Sequence, residues 1–279
     1  MKFTVRQYSR HHSPIPVYIK VYVLLLTGIL LYASASAQTR KIKTLEVSDT
    51  IRYAAVDRPG ELYIVTTSGQ LQKFDTDGKL LALHKDKPAP TLFDPRDGSR
   101  LFAFFRESRQ YNFLNPSFEA VQAFSIDSSF ATEPWLACVS GDYNIWLFDV
   151  ADWTLKKINT TTGALSVEEV IETKSKQKSN YTFLREYQGF VFLLDVSEGI
   201  LIFNGVGKHI RTIAVKNLSY FNFLGEELYY LQGDTLRFFD LFTTETREQK
   251  LATQGNFALI TDERFFLIRK NIIEIYRAQ

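Results

Sequence analysis

Ala55-Val56-Asp57-Arg58-Pro59-Gly60-Glu61-Leu62-Tyr63-Ile64-Val65, followed by Gly69-Gln70-Leu71-Gln72-Lys73-Phe74-Asp75-Thr76-Asp77-Gly78-Lys79, is the stretch that decides the fold. It alternates short β-type runs with turn signals. Ile51 to Val56 predicts one strand, Asp57-Arg58-Pro59-Gly60 a turn, Glu61 to Thr67 a second strand, and Leu71 to Phe74 a third. Asp75-Thr76-Asp77-Gly78 predicts a tight hairpin, because Asp and Gly tolerate the positive φ such turns need. Lys79 to His84 completes a four-stranded unit.

The second-strand run recurs downstream as Arg100–Phe104, Asn144–Phe148, Phe190–Leu194, Glu227–Leu231 and Arg264–Ile268. A glycine precedes the first five of the six runs (Gly60, Gly98, Gly141, Gly189, Gly225), and Asp262-Glu263 takes its place before the sixth. The markers are spaced by 38, 43, 48, 36 and 37 residues. Self-similarity at about forty residues, built from strands, predicts an all-β propeller with one four-stranded blade per unit. The third unit is the longest, with its extra residues near 164–180. The sixth unit is one strand short, and Ile42 to Val47 can supply the missing outer strand and pair an otherwise open edge. That closure predicts six blades in a single domain, residues 38–279.

Residues 1–37 read as a secretory signal: basic residues Lys2, Arg6, Arg10 and Lys20, an apolar stretch Val21–Tyr32, and a small-residue Ala35-x-Ala37 site. Val21 to Ala37 is shorter than the roughly 20 apolar residues a membrane span uses, so no stable transmembrane anchor is expected after cleavage. The whole chain carries a formal charge of +2; residues 1–37 hold four Lys/Arg and no acid, which leaves −2 on the remainder. No concentrated basic face appears, so no nucleic-acid partner is expected. The run Lys174, Lys176, Lys178 reads as a solvated loop. One cysteine, Cys138, excludes an intramolecular disulfide and reads as a small buried hydrophobe. The leader and the scarcity of cysteine point to an extracytoplasmic bacterial protein, periplasmic, surface-bound or secreted. The sequons at Asn159, Asn180 and Asn217 are discounted on the same ground.

The segment over 53–81 resembles an NHL-type propeller repeat: Asp57 before a Gly60 turn, the aromatic-containing run Leu62-Tyr63-Ile64-Val65, and Phe74-Asp75 leading into Asp77-Gly78. The match is fair over 182–213, and only hydrophobic spacing persists over 92–130 and 256–279. The resemblance implies a ring with loops on two faces around a central channel. It implies no single activity, since such propellers include binding scaffolds, lyases and lactone or ester hydrolases.

Candidate chemistry is sparse. His84 and His209 fall in or beside predicted outer strands, far from the channel, and neither a nucleophile elbow, nor a phosphate loop, nor paired Cys/His metal spacing occurs. Glu133, Asn180, Asn222 and Asn256 open inner strands and form a possible Ca²⁺ donor set of the kind the resemblance implies for propeller hydrolases. The turn acids Asp57, Asp97, Asp142 and Asp262 are expected to serve the backbone. Arg52, Arg106, Arg109, Trp135, Trp153, Tyr220 and Lys270 fall on loops of one face and supply the residue types that dominate interface hot spots. The expectation is a monomeric, non-catalytic binding or scaffold module for a protein or envelope component, needing no cofactor. The alternative is a calcium-dependent lactonase- or esterase-type hydrolase.

Overall fold

The computed structural model describes residues 40–85, 88–174 and 176–278. The expected signal segment 1–37 lies outside the described residues. Six antiparallel four-stranded sheets and a single 3₁₀ turn, Lys178–Asn180, make up the regular secondary structure of the described residues. Blade 1 comprises Ile51–Val56, Leu62–Thr66, Leu71–Phe74 and Leu80–His84, paired in that order. The inner strands of the next five blades are Leu92–Asp94, Pro134–Val139, Tyr181–Tyr187, Asn222–Leu224 and Phe257–Ile260. The elongated third unit ends in a seven-residue outer strand, Ala164–Val170, followed by the loop to blade 4.

Burial changes steadily across each blade. The second strands Leu62–Thr66 and Ile145–Asp149 are buried at every position, whereas the outer strand Thr246–Lys250 is exposed at every position. A middle strand has a neighbouring blade on both of its faces, so it is written as a continuous apolar run rather than an alternating one. Aromatic side chains fill the spaces between blades, with Trp146, Tyr63, Phe102, Phe104, Phe148, Phe192 and Phe266 almost wholly enclosed.

The expected closure is present. Lys41–Glu46 pairs antiparallel with Ile272–Arg277 and forms the outer strand of blade 6. The seam is held by side chains as well as by the ladder. Glu274, which is buried, accepts hydrogen bonds from Lys41 Nζ and Tyr276 Oη, each at 3.0 Å, and pairs with Arg269 at 3.0 Å. Arg264 Nη2 reaches across to Asp77 Oδ1 of blade 1 at 2.9 Å. Gly78 sits at that contact with φ +75°, and a Cβ there would lie 2.5 Å from Leu45 Cδ1 and 2.7 Å from Ile275 Cδ1. The Asp-Gly hairpin therefore needs its glycine twice, for the turn and for the approach of the closing strand.

Burial alone would raise the Glu274 carboxyl, but the bonds from Lys41 and Tyr276 and the charge of Arg269 outweigh it and hold it below the usual carboxylate range. A depressed folded-state value means that this stability is present above the unfolded-state value and is lost as pH falls through the folded one. Thermal unfolding across pH 7 to 3 is expected to show the wild type losing part of its advantage over Glu274→Gln only below about pH 4.3. At neutral pH the variant is expected to melt lower by about 2–4 °C for each kcal/mol lost.

Candidate functional site

All six inner strands run in the same direction, so the ring has an upstream face where they begin and a downstream face where they end. Toward the upstream end the axis is filled by rings: Tyr53, Phe183, Tyr220 and Phe257 contact one another with centroid separations of 5.3–6.1 Å. Further along the same strands the side chains become charged. Asp94, Arg96, Arg185 and Asn222 come from blades 2, 4 and 5 and line the downstream half of the channel.

Arg96 is the bridge among them. Its Nε and Nη2 donate to Asp94 Oδ2 at 3.1 and 2.6 Å, while Nη1 reaches the carbonyl of Glu186 and Nη2 that of Val139. One guanidinium thus ties blade 2 to blades 3 and 4. Burial alone would raise the Asp94 carboxyl, but the charges of Arg96 and Arg185 and the bonds from Arg96 hold it below the usual carboxylate range. Burial opposes the charge of Arg96, yet Asp94 outweighs it and pushes the guanidinium value up. Arg185 is 9% exposed, and its Nη1 donates to Asn222 Oδ1 at 2.6 Å.

Above this floor the channel opens into a hollow of about 280 Å³ lined by Asp57, Arg58, Arg96, Arg185, Asn222, Asp262 and their neighbours. It draws residues from blades 1, 2, 4, 5 and 6. A smaller hollow of about 110 Å³ continues from Arg58 and Arg96 toward Arg100 and Tyr143, between blades 2 and 3. At the rim, the Asp57 carboxylate accepts the Glu61 amide at 2.8 Å and the Tyr63 hydroxyl at 3.0 Å, and burial raises its pKa.

The residues singled out from the sequence lie mostly elsewhere. Arg106 and Trp135 do come together on the upstream face, the guanidinium stacked 3.5 Å from the indole and its Nε bonded to the Trp135 carbonyl. Trp135 Nε1 donates to the Tyr181 carbonyl, so this ring joins blades 3 and 4. Trp153 packs on Phe148 and Tyr181 in the same seam. Arg109 is committed to the Ala131 carbonyl and Arg52 to the Pro90 carbonyl. Tyr220 is not on a loop surface: it is 6% exposed, within the axial aromatic group. Lys270 is exposed in the hairpin Arg269–Ile272 with φ +50°.

Three of the four oxygen donors are engaged by other groups, and Asn180 is held through its amide nitrogen. Glu133 accepts from Lys178 at 2.6 Å, Asn256 from the Lys270 amide at 2.8 Å, and Asn222 from Arg185, while Asn180 donates to Ser197. A cation is already seated on the Asn222 oxygen, which a Ca²⁺ ion would have to displace. Among the described residues no group of three or more His, Cys, Asp or Glu side chains is placed to hold a metal. His84 and His209 lie in outer strands, as expected, and His209 bonds Thr212 within its own strand. Cys138 is buried, and burial pushes its thiol pKa up, away from nucleophilic use.

No family model and no curated protein sequence matches this chain. Solved structures do. A catalytically inactive virginiamycin B lyase from Staphylococcus aureus, bound to quinupristin, superposes with a TM-score of 0.54 at 12% identity, covering 85% of this chain and 88% of that one. A streptogramin B lyase gives 0.55 at 11% identity over 85% of this chain and 87% of its own. The Pan2 WD40 domain of Neurospora crassa gives 0.54 at 12% identity over 82% and 78%. The chain is a six-bladed β-propeller. At these identities the likeness carries the fold alone, and the neighbours' differing roles assign no activity.

Sequence reasoning missed Arg58, Arg96 and Arg185. The available signal was Phe183-Leu184-Arg185-Glu186, a charged pair closing an otherwise apolar inner strand. Arg96→Ala leaves the half-buried Asp94 without its ion-pair partner, and removing one member of a fully buried pair costs about 3–5 kcal/mol, an upper bound for this pair. Denaturant unfolding is expected to show that loss, whereas Arg52→Ala, at an exposed position of an inner strand, is expected to lose at most about 1 kcal/mol.

Proposed function

We propose that the chain is an exported, extracytoplasmic binding module that takes a protein or cell-envelope component at the downstream mouth of its ring, without covalent chemistry. The observation that carries this reading is the 280 Å³ hollow on the axis, assembled from five blades and floored by charged side chains. Its lining includes arginines, carboxylates, an amide and two threonines, but neither a histidine nor a cysteine. Such concave sites with a few convergent polar groups are the usual place for a ligand. The leader-like segment 1–37 supports placement outside the cytoplasm. Among the described residues no helix is long and apolar enough to cross a membrane.

The upstream face is the less favoured surface. Its conspicuous side chains, Arg106, Trp135, Trp153 and Arg109, are occupied in holding blades 2, 3 and 4 together. The downstream face instead presents Arg58, Asp262 and Glu263 around an open cavity.

Photo-crosslinking of the tagged full chain in its own host separates the two faces. A photoreactive residue at Glu263 samples the downstream rim, and one at Lys270 samples the upstream face. A reproducible envelope partner captured from Glu263 and not from Lys270 is the expected result. Capture from Lys270 alone, or turnover of a lactone or ester panel by the purified protein, would overturn the reading.

A further inference from the structure

Arg185 presents an imbalance that the fold does not resolve. It is about nine-tenths buried, yet its five N–H donors make one hydrogen bond among the described residues, from Nη1 to the neutral Asn222, and its guanidinium otherwise lies 5.5 Å from the Phe223 ring. Its Nε is enclosed and without a partner. Asp94 feels the Arg185 charge, but that carboxylate is itself bonded twice by Arg96. Buried charges are ordinarily paired, because an unpaired one forfeits its hydration without compensation. Arg185 lines the floor of the downstream hollow, so the missing counter-charge has a space to arrive in.

The rim carries the opposite sign. Asp57, Asp262 and Glu263 line the same hollow. Asp57 is spent on its own turn and on Tyr63, and Glu263 lies 3.7 Å from Arg264. Asp262 is exposed and makes no ion pair among the described residues. The hollow is therefore dipolar, with a cation in need of an anion at its floor and a free carboxylate at its lip. A dianionic phosphate would meet Arg185 favourably but face three carboxylates on the way in. A carboxylate accompanied by a positive group satisfies both ends, and about 280 Å³ is the size of a small ligand, below the span of most drug-sized pockets.

Resting on the downstream-face reading above, we infer that the hollow recognises a short peptide end, its free α-carboxylate seated against the Arg185 guanidinium and an ammonium group facing Asp262. A planar guanidinium edge is suited to a carboxylate, which accepts two parallel N–H bonds. Asn222 holds Arg185 in place by its Nη1 and Nε is enclosed, which leaves Nη2 as the donor for the ligand.

Calorimetric titration of the full chain with the dipeptide alanyl-alanine, its C-terminal amide, its N-acetyl form and inorganic phosphate tests this. The free dipeptide is expected to bind in the millimolar range or tighter, and amidation to weaken it about ten- to a hundredfold, the span of a charge-assisted hydrogen bond. Arg185→Gln is expected to abolish the difference between the free and amidated forms. Asp262→Asn is expected to weaken the free dipeptide about two- to fivefold without affecting the N-acetyl form. Should Arg185→Gln unfold, the amidation contrast on the unaltered protein together with Asp262→Asn carries the test. Equal binding of the amide, tighter binding of phosphate, or no binding of any probe would overturn the inference. If the probes fail while crosslinks still form from Glu263, the ligand class is wrong and the binding face stands; crosslinks from Lys270 alone would remove both.

Discussion

The pairing of Lys41–Glu46 with Ile272–Arg277 is the interaction on which the rest of the molecule depends. A sheet of four strands packs well against two neighbours, but a row of such sheets has two open ends. Joining the ends converts six marginal units into one ring and removes the unpaired backbone groups of the last blade. It also brings blade 6 against blade 1, where Arg264 meets Asp77 and Leu45 and Ile275 crowd Gly78. Without that seam the axial hollow would lose its definition, because residues from both blades form part of its wall.

The gradient of burial along each blade and the gradient of polarity along the axis follow from the same geometry. Middle strands are covered on both faces and carry apolar side chains throughout, whereas outer strands face water and carry charge. On the axis, six inner strands converge and leave a narrow space that side chains must fill. Rings fill one half. In the other half Asp94, Arg96, Glu186 and the Val139 carbonyl compensate one another, and Arg185, bonded only to a neutral amide, is the group left over. A buried network normally ends with every member satisfied. One that stops a single charge short directs attention to the space beside that charge.

Most of the fold was legible in the sequence because it rests on period-two runs and turn residues, which are local. Blade 1 matches its expected strands to within two residues, and the closing strand was found from a deficit in the last unit rather than from its own pattern. Leu92–Asp94 and Asn222–Leu224 are only three residues long, and there the hydrophobic spacing alone had to carry the reading. The site was far less legible. Trp135, Trp153 and Arg109 look like surface recognition residues by type, but each is engaged in a seam between elements distant in sequence. Conversely, Arg185 sits inside an apolar strand, where only the three-dimensional ring shows that it lines the axial hollow and that its Nε lacks a partner. Asn222 faces the channel, yet its oxygen meets an arginine rather than a metal. Residue type and spacing predict which backbone a side chain hangs on; they do not predict what stands opposite it when six separate strands converge.

The closing seam also orders events in time. The strand Lys41–Glu46 leaves the ribosome long before its partner Ile272–Arg277 exists, since 226 residues separate the end of one from the start of the other. At about 5–20 residues per second that interval is roughly 11–45 s. Blades 1 to 5 each pair neighbouring strands and can form as they emerge, while the first strand stays unpartnered with its alternating charged and apolar side chains. Its three charged residues in six, Lys41, Lys43 and Glu46, with Arg40 just before, keep that waiting segment soluble until the last blade arrives. The circle is thus completed by two strands made far apart in time, and only a chain extended through Arg277 can present the cup at its centre.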